Sequence, residues 1–131
     1  MSLIAAATAA RRALAEVLEA ATGHPWHPEV PSDVTPPCGV LEPADRYLED
    51  DVDTFEAGTY VLTLEAWALV DLASTETATD VLDQLLEDTL GALAGVGWWM
   101  TSVGKPASVE SDGWLAYGAN LTVQTHLSTT P

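Results

Sequence analysis

The chain has 131 residues, 47% of them apolar, with twenty acids against four basic residues and a formal net charge of −16. That length fits a single domain able to bury about two thirds of the surface its unfolded form exposes, and the apolar share excludes a disordered tail. Arg11, Arg12, Arg46 and Lys105 are too few to neutralise a run of phosphates, which excludes sequence-specific nucleic-acid binding and disfavours an anionic membrane surface.

The first element is an amphipathic helix over residues 2–22, with Ser2 as N-cap and Leu3, Ala7, Ala10, Leu14, Val17, Leu18 and Ala21 recurring at spacings of three and four. Gly23 supplies a left-handed stop and Pro25 prevents resumption. Arg11, Arg12, Glu16 and Glu19 interrupt this stretch, so it reads neither as a membrane span nor as a signal peptide.

Residues 24–58 read as an extended connector followed by an acidic loop. Pro25, Pro28, Pro31, Pro36, Pro37 and Pro43 each fix φ and remove a ladder donor, leaving room for one short edge strand at Gly39–Glu42. Glu42, Asp45, Glu49, Asp50, Asp51, Asp53 and Glu56 then crowd like charges together, offset by Arg46, and the expectation is a mobile loop. Asp50, Asp51 and Asp53 suggest calcium, but the glycine and the closing glutamate of a helical calcium loop are missing at their offsets.

The period switches to two over residues 59–71. Tyr60, Leu62, Leu64, Ala66, Ala68 and Val70 share one face; Val61, Thr63, Glu65, Trp67 and Leu69 share the other. Because both faces are partly apolar, this strand is expected to be central, or shielded by a neighbouring subunit. A second helix follows over residues 75–94, capped by Ser74 or Thr75, with Ala78, Val81, Leu82, Leu85, Leu86, Leu90 and Leu93 as its buried stripe and Gly95 and Gly97 ending it. The C-terminal strands occupy residues 98–129. The first is broken by Gly104 and Pro106, Ser111-Asp112-Gly113 marks a turn, and the last alternates from Trp114 to Ser128 with one apolar and one polar face. The order implies an α+β domain of two layers, one mainly antiparallel sheet with both helices packed on one face.

Motifs for chemistry are weak. Cys38 has no helix N-terminus or neighbouring cation in its sequence to lower its pKa, and as the one cysteine it allows no intrachain disulfide. His24 and His27 stand three apart without a second close-spaced ligand pair, so no metal site is expected. No glycine-rich phosphate loop opens a helix, and no cofactor is expected. Glu65, flanked by apolar residues in a strand, reads equally well as a perturbed carboxylate or as a strand face opening onto water or a partner. Asn120-Leu121-Thr122 matches a glycosylation sequon without a secretion signal to go with it.

The five tryptophans are the better clue. Trp98 and Trp99 must face opposite sides of their strand, while Trp67 and Trp114 fall opposite the main apolar sets of theirs. Aromatic residues on the second face of a sheet either close a local layer or meet a partner. The expected interface residues are Trp67 and Trp99, together with Tyr47, Leu48 and Phe55 among the acids Asp50, Asp51 and Asp53.

The leading helix, Asp45-Arg46-Tyr47-Leu48-Glu49 and Asp53-Thr54-Phe55 before the strand Tyr60–Asp71, the helix carrying Val81-Leu82-Asp83-Gln84-Leu85-Leu86, and Trp98, Val103, Pro106 and Trp114-Leu115-Ala116-Tyr117 on the closing strands form a pattern. In that order and spacing the chain resembles the tail terminator proteins of long-tailed bacteriophages, those of actinobacterial phages in particular. The dense acid at 49–56 departs from the family pattern. The resemblance implies a non-enzymatic virion protein, made in the bacterial host cytoplasm. It would form a hexameric ring with itself, cap the tail tube protein, end tube polymerisation and present the head-attachment surface to a neck or stopper protein, with DNA passing through the ring. A head–tail stopper or connector is the alternative within the virion class. A small-molecule-binding or enzymatic α+β domain, or an acidic mimic of nucleic acid, stands outside it.

Overall fold

The structure, a computed structural model, describes residues 2–50, 58–71, 75–111 and 114–128. Helix α1, Leu3–Thr22, starts where the Ser2 side chain accepts the Ala5 N–H and ends where Gly23 adopts φ 73° and returns its N–H to the Glu19 carbonyl. It is followed by β1 (Trp26–His27), β2 (Cys38–Asp50), β3 (Thr59–Val70), α2 (Thr75–Ala94), β4 (Trp99–Val103), β5 (Ala107–Ser111) and β6 (Trp114–Ser128). No helix among the described residues is long and apolar enough to cross a membrane. The expected cap at Ser74, the Asp112-Gly113 turn and the expected interface residues Asp51, Asp53 and Phe55 lie outside the described residues.

The six strands form one sheet in the order β1-β2-β3-β6-β4, with β5 beside β4 along the same side of β6. All pairings are antiparallel except the two-residue match of β1 with β2. The central strand β3 pairs along its whole length with β6, from Thr59↔Ser128 to Val70↔Tyr117. The fold is therefore α+β with the helices packed against the sheet, as the alternation of periods implies.

Alternation along β3 divides the interior. Leu62, Leu64, Ala66, Ala68 and Val70 meet Ala7, Leu14, Leu18, Leu82, Leu85 and Leu93 of the helices in the main core, which also takes Leu41, Leu121 and Val123. On the outer face, Leu69 joins Val34, Cys38, Val40 and Ala116 in a second, smaller core, flanked by Trp67 and Val109. Part of the proline-rich segment, through Val34, thus covers one end of the outer face. A fully buried Leu of this kind contributes about 1.5–3 kcal/mol over its exposed state, so the helix-side layer holds most of the stability.

The structure corrects the connector. Residues 38–50 form a thirteen-residue strand where an extended connector, one short edge strand and a mobile acidic loop were expected. Between Pro43 and Leu48 the register slips, β2 advancing five residues while β3 advances two. This bulge lets the strand absorb a proline and a charge run. Asp45, Arg46, Glu49 and Asp50 point to solvent, while Tyr47 and Leu48 turn inward against the main core. The Arg11 guanidinium donates to the Tyr47 hydroxyl at 3.1 Å, which ties the far half of β2 to α1.

Trp26 is a second departure. It is buried in the main core, its backbone pairs with Gly39, and its indole N–H donates to the Thr22 hydroxyl at 3.1 Å. A Cβ at Gly39 would collide with the Trp26 ring, so glycine is required there by close approach.

Candidate functional site

The outer face of the sheet carries the expected aromatic residues. Register places Val40, Trp67 and Asn120 in one row across β2, β3 and β6, then Glu42, Glu65 and Thr122, then Thr63, Gln124 and Trp99. Trp67 is half-buried, and its indole N–H donates to a Glu42 carboxylate oxygen at 2.8 Å. Trp99, also half-buried, donates its indole N–H to the Gln124 side-chain oxygen at 3.1 Å, and Gln124 in turn donates to the Thr63 hydroxyl at 3.0 Å. The Trp99 ring lies 4.9 Å from the His126 ring, tilted by 50°. These hydrogen bonds hold two indoles in fixed positions on a face whose middle row remains partly open.

Glu42 and Glu65 are direct cross-strand partners on this face. Like charges directly opposite are destabilising. The Trp67 N–H satisfies one oxygen of Glu42, and among the described residues the ion pairs of Arg11, Arg12 and Arg46 go to Glu29 and Glu49 instead of to Glu42 or Glu65. Beside this pair lies a pocket of about 230 Å³, lined by Val30, Val40, Glu42, Trp67, Leu69, Val109 and Glu110. Its lining is mostly aliphatic, with Trp67 and Glu42 beside it, and Glu110 follows Val109 on β5, where it pairs with Leu115.

Cations are scarce elsewhere as well. Arg11 and Arg12 both approach Glu29, at 3.9 and 3.3 Å, and Arg46 approaches Glu49 at 3.7 Å. Lys105 is exposed in the short break between β4 and β5.

Both sheet edges are blunted. The β2 edge carries Pro43 and the bulge after it; the β4–β5 edge carries a register shift between Met100 and Ser102, then Gly104, Lys105 and Pro106. Bulges, prolines and lysines are the common means of preventing strand addition. An apolar margin nevertheless lies along the second edge on the helix side. Leu115 is 58% exposed, and Met100 and Val103 are each 40% exposed although they pair with the buried Val123 and Leu121. Sequence alternation alone places Leu115 in the core; the structure puts it beyond the reach of the helices.

Of the expected interface residues, Trp67 and Trp99 share the outer face. Tyr47 and Leu48 do not join them, being half-buried against the protein's own core, and Asp50 is the exposed last residue of β2. Glu42, Val109 and Glu110 were not singled out by the sequence, because only the registers of β2 and β5 bring them to Trp67.

Cys38 is fully buried in the smaller core. Burial, with a smaller contribution from the Asp71 carboxylate, pushes its thiol up to about 11. At neutral pH it is a protonated, enclosed side chain, which is the opposite of an activated nucleophile. Among the described residues no three His, Cys, Asp or Glu side chains gather in a metal-binding arrangement. Compared with models of known protein families and with curated proteins, the chain matches none.

Proposed function

We propose that this protein is a structural virion subunit of the tail-terminator type. It assembles into a hexameric ring, caps the phage tail tube, ends tube polymerisation and offers the head-attachment surface to a neck protein. The observation that carries this reading is the outer sheet face, where Trp67 and Trp99 are held half-buried by hydrogen bonds without being absorbed into the main core. Anchored aromatics on an open face are typical of association surfaces, because they add contact area at small entropic cost.

The apolar margin of Met100, Val103 and Leu115 supports the same reading, since it places hydrophobic surface next to an edge that is itself blunted against strand pairing. Subunits would then meet by side-chain packing across faces and margins, in a head-to-tail arrangement that closes into a ring. The net charge of −16 suits a channel through which DNA passes without adhering. The pocket of about 230 Å³ is below the roughly 300–1,000 Å³ usual for small-molecule sites, which weighs against a metabolite-binding role.

The reading is tested by adding purified protein to polymerising tail tube protein of the same phage. Tubes stopped at one end by a ring support it. Unchanged polymerisation, with no protein on the tube ends, contradicts it.

A further inference from the structure

We infer that Lys105 sets the register of the contact between copies of this chain, seating against the Glu42–Glu65 pair on the outer face of its neighbour. This rests on the reading of the chain as a self-assembling subunit and adds which charged side chains find each other. The outer face carries the two carboxylates in the row between its indoles, with Trp67 in the row before them and Trp99 in the row after. Glu42 and Glu65 are half-buried cross-strand partners, and like charges so placed repel. A cation brought in by another copy removes that repulsion.

The apolar margin carries the matching charge. Of the four lysines and arginines, three approach Glu29 or Glu49 of their own copy, and among the described residues Lys105 takes part in no such pair. It is exposed at the sheet edge, in the break between Val103, which pairs with Leu121, and Ala107, which pairs with Gly118. Met100 and Val103 therefore lie to one side of it along the edge and Leu115 to the other. A cation between apolar residues thus complements acids between indoles. Glu110, exposed and paired with Leu115, is an acid at the far end of this margin, and setting that end over Glu42 and Glu65 would add a third like charge. One ion pair does not offset the repulsion between copies of charge −16, so it selects which surfaces meet while apolar packing supplies the affinity. The two surfaces differ, so the contact repeats head to tail.

The test is a charge swap followed by sedimentation near physiological ionic strength, with circular dichroism to check that each variant folds. Lys105→Gln should weaken association roughly two- to fivefold. Lys105→Glu and Glu65→Lys should each weaken it further or as much, while an equimolar mixture of these two should associate more tightly than either alone. In the mixture each margin meets a face of opposite charge, which no rearrangement within one copy can imitate. Wild-type association in all three variants, or no gain on mixing, overturns the inference. If the natural protein assembles and the variants assemble equally well, the ring reading stands, and the acid pair is open to a partner other than this chain. A natural protein that stays monomeric overturns both, so the two failures are distinguishable.

Discussion

The Trp67 indole N–H and the Glu42 carboxylate meet at 2.8 Å across neighbouring strands, coupling an aromatic ring to a charge on the open face of the sheet. The bond fixes the ring on the half-open face and sets Glu42 beside the adjacent pocket. Trp99 is held in the same manner by Gln124 on β6. Two indoles so restrained lose little further freedom on association, which is how a small face gains affinity.

Alanine at either position should therefore harm assembly more than folding. Trp67 is half-buried, so Trp67→Ala is expected to cost about 1–2 kcal/mol of stability, less than the roughly 3–5 kcal/mol of a fully buried indole. Trp99→Ala, at the start of an edge strand, should cost about 1 kcal/mol. Denaturant melts read the stability and sedimentation reads the assembly. If the two losses run in parallel, the tryptophans are core residues and not contacts.

The apolar margin makes a sharper prediction. Leu115 is 58% exposed, so Leu115→Asp should change stability by no more than about 0.5 kcal/mol. It should nevertheless abolish assembly, because it would bury a charge between subunits. An assembled Leu115→Asp variant would place the subunit contact elsewhere.

Two glycines should respond oppositely to alanine. Gly39→Ala forces its methyl into the Trp26 ring and should destabilise by about 1–3 kcal/mol. Gly91 lies exposed within α2 with nothing near its missing Cβ, so Gly91→Ala should stabilise by about 0.5–1 kcal/mol. Thermal melts of the two variants give the signs directly.

Cys38 predicts an alkaline dependence. Its folded-state pKa is raised to about 11 from an ordinary value of 9.0, mainly by burial. Between those values the unfolded chain releases the thiol proton and the folded chain keeps it, so unfolding is favoured as pH rises. The contribution is fully present below pH 9.0 and is lost as pH climbs to about 11, amounting to about 2–3 kcal/mol. Cys38→Ala should flatten this part of the stability profile relative to the natural protein. An identical alkaline slope in both would assign it to other groups.

The two helices and the strands β3 and β6 were legible because each keeps one period along its length. Leu14, Leu18, Leu82 and Leu85 fall on helical stripes, and Leu62, Leu64 and Ala66 alternate with Thr63 and Glu65. β2 was hidden because its signals conflict. Pro43 and the run of acids argue for a loop, and only the bulge after Pro43, together with the outward turn of Asp45, Glu49 and Asp50, reconciles them with a ladder. Trp26 was read as part of a linker since a two-residue strand has no period to detect. For the site, Trp67 could be placed on the outer face by parity alone, whereas for Trp98 and Trp99 parity says only that they face opposite sides, and the pairing of Trp99 with Gln124 decides which is which. Glu42, Val109 and Glu110 could not, because their nearness to Trp67 depends on how β2 and β5 align with their neighbours.

The central claim is that copies of this chain associate, the Trp67 and Trp99 face of one meeting the Met100, Val103 and Leu115 margin of the next. Sedimentation of the purified protein across rising salt, with electron microscopy of the same samples, tests it most directly. Mutual repulsion between copies of charge −16 is screened over about 8 Å near physiological ionic strength, so six-membered rings should grow more abundant as salt increases. A single monomeric species at every salt concentration, or an oligomer that tightens as salt is withdrawn, would contradict it.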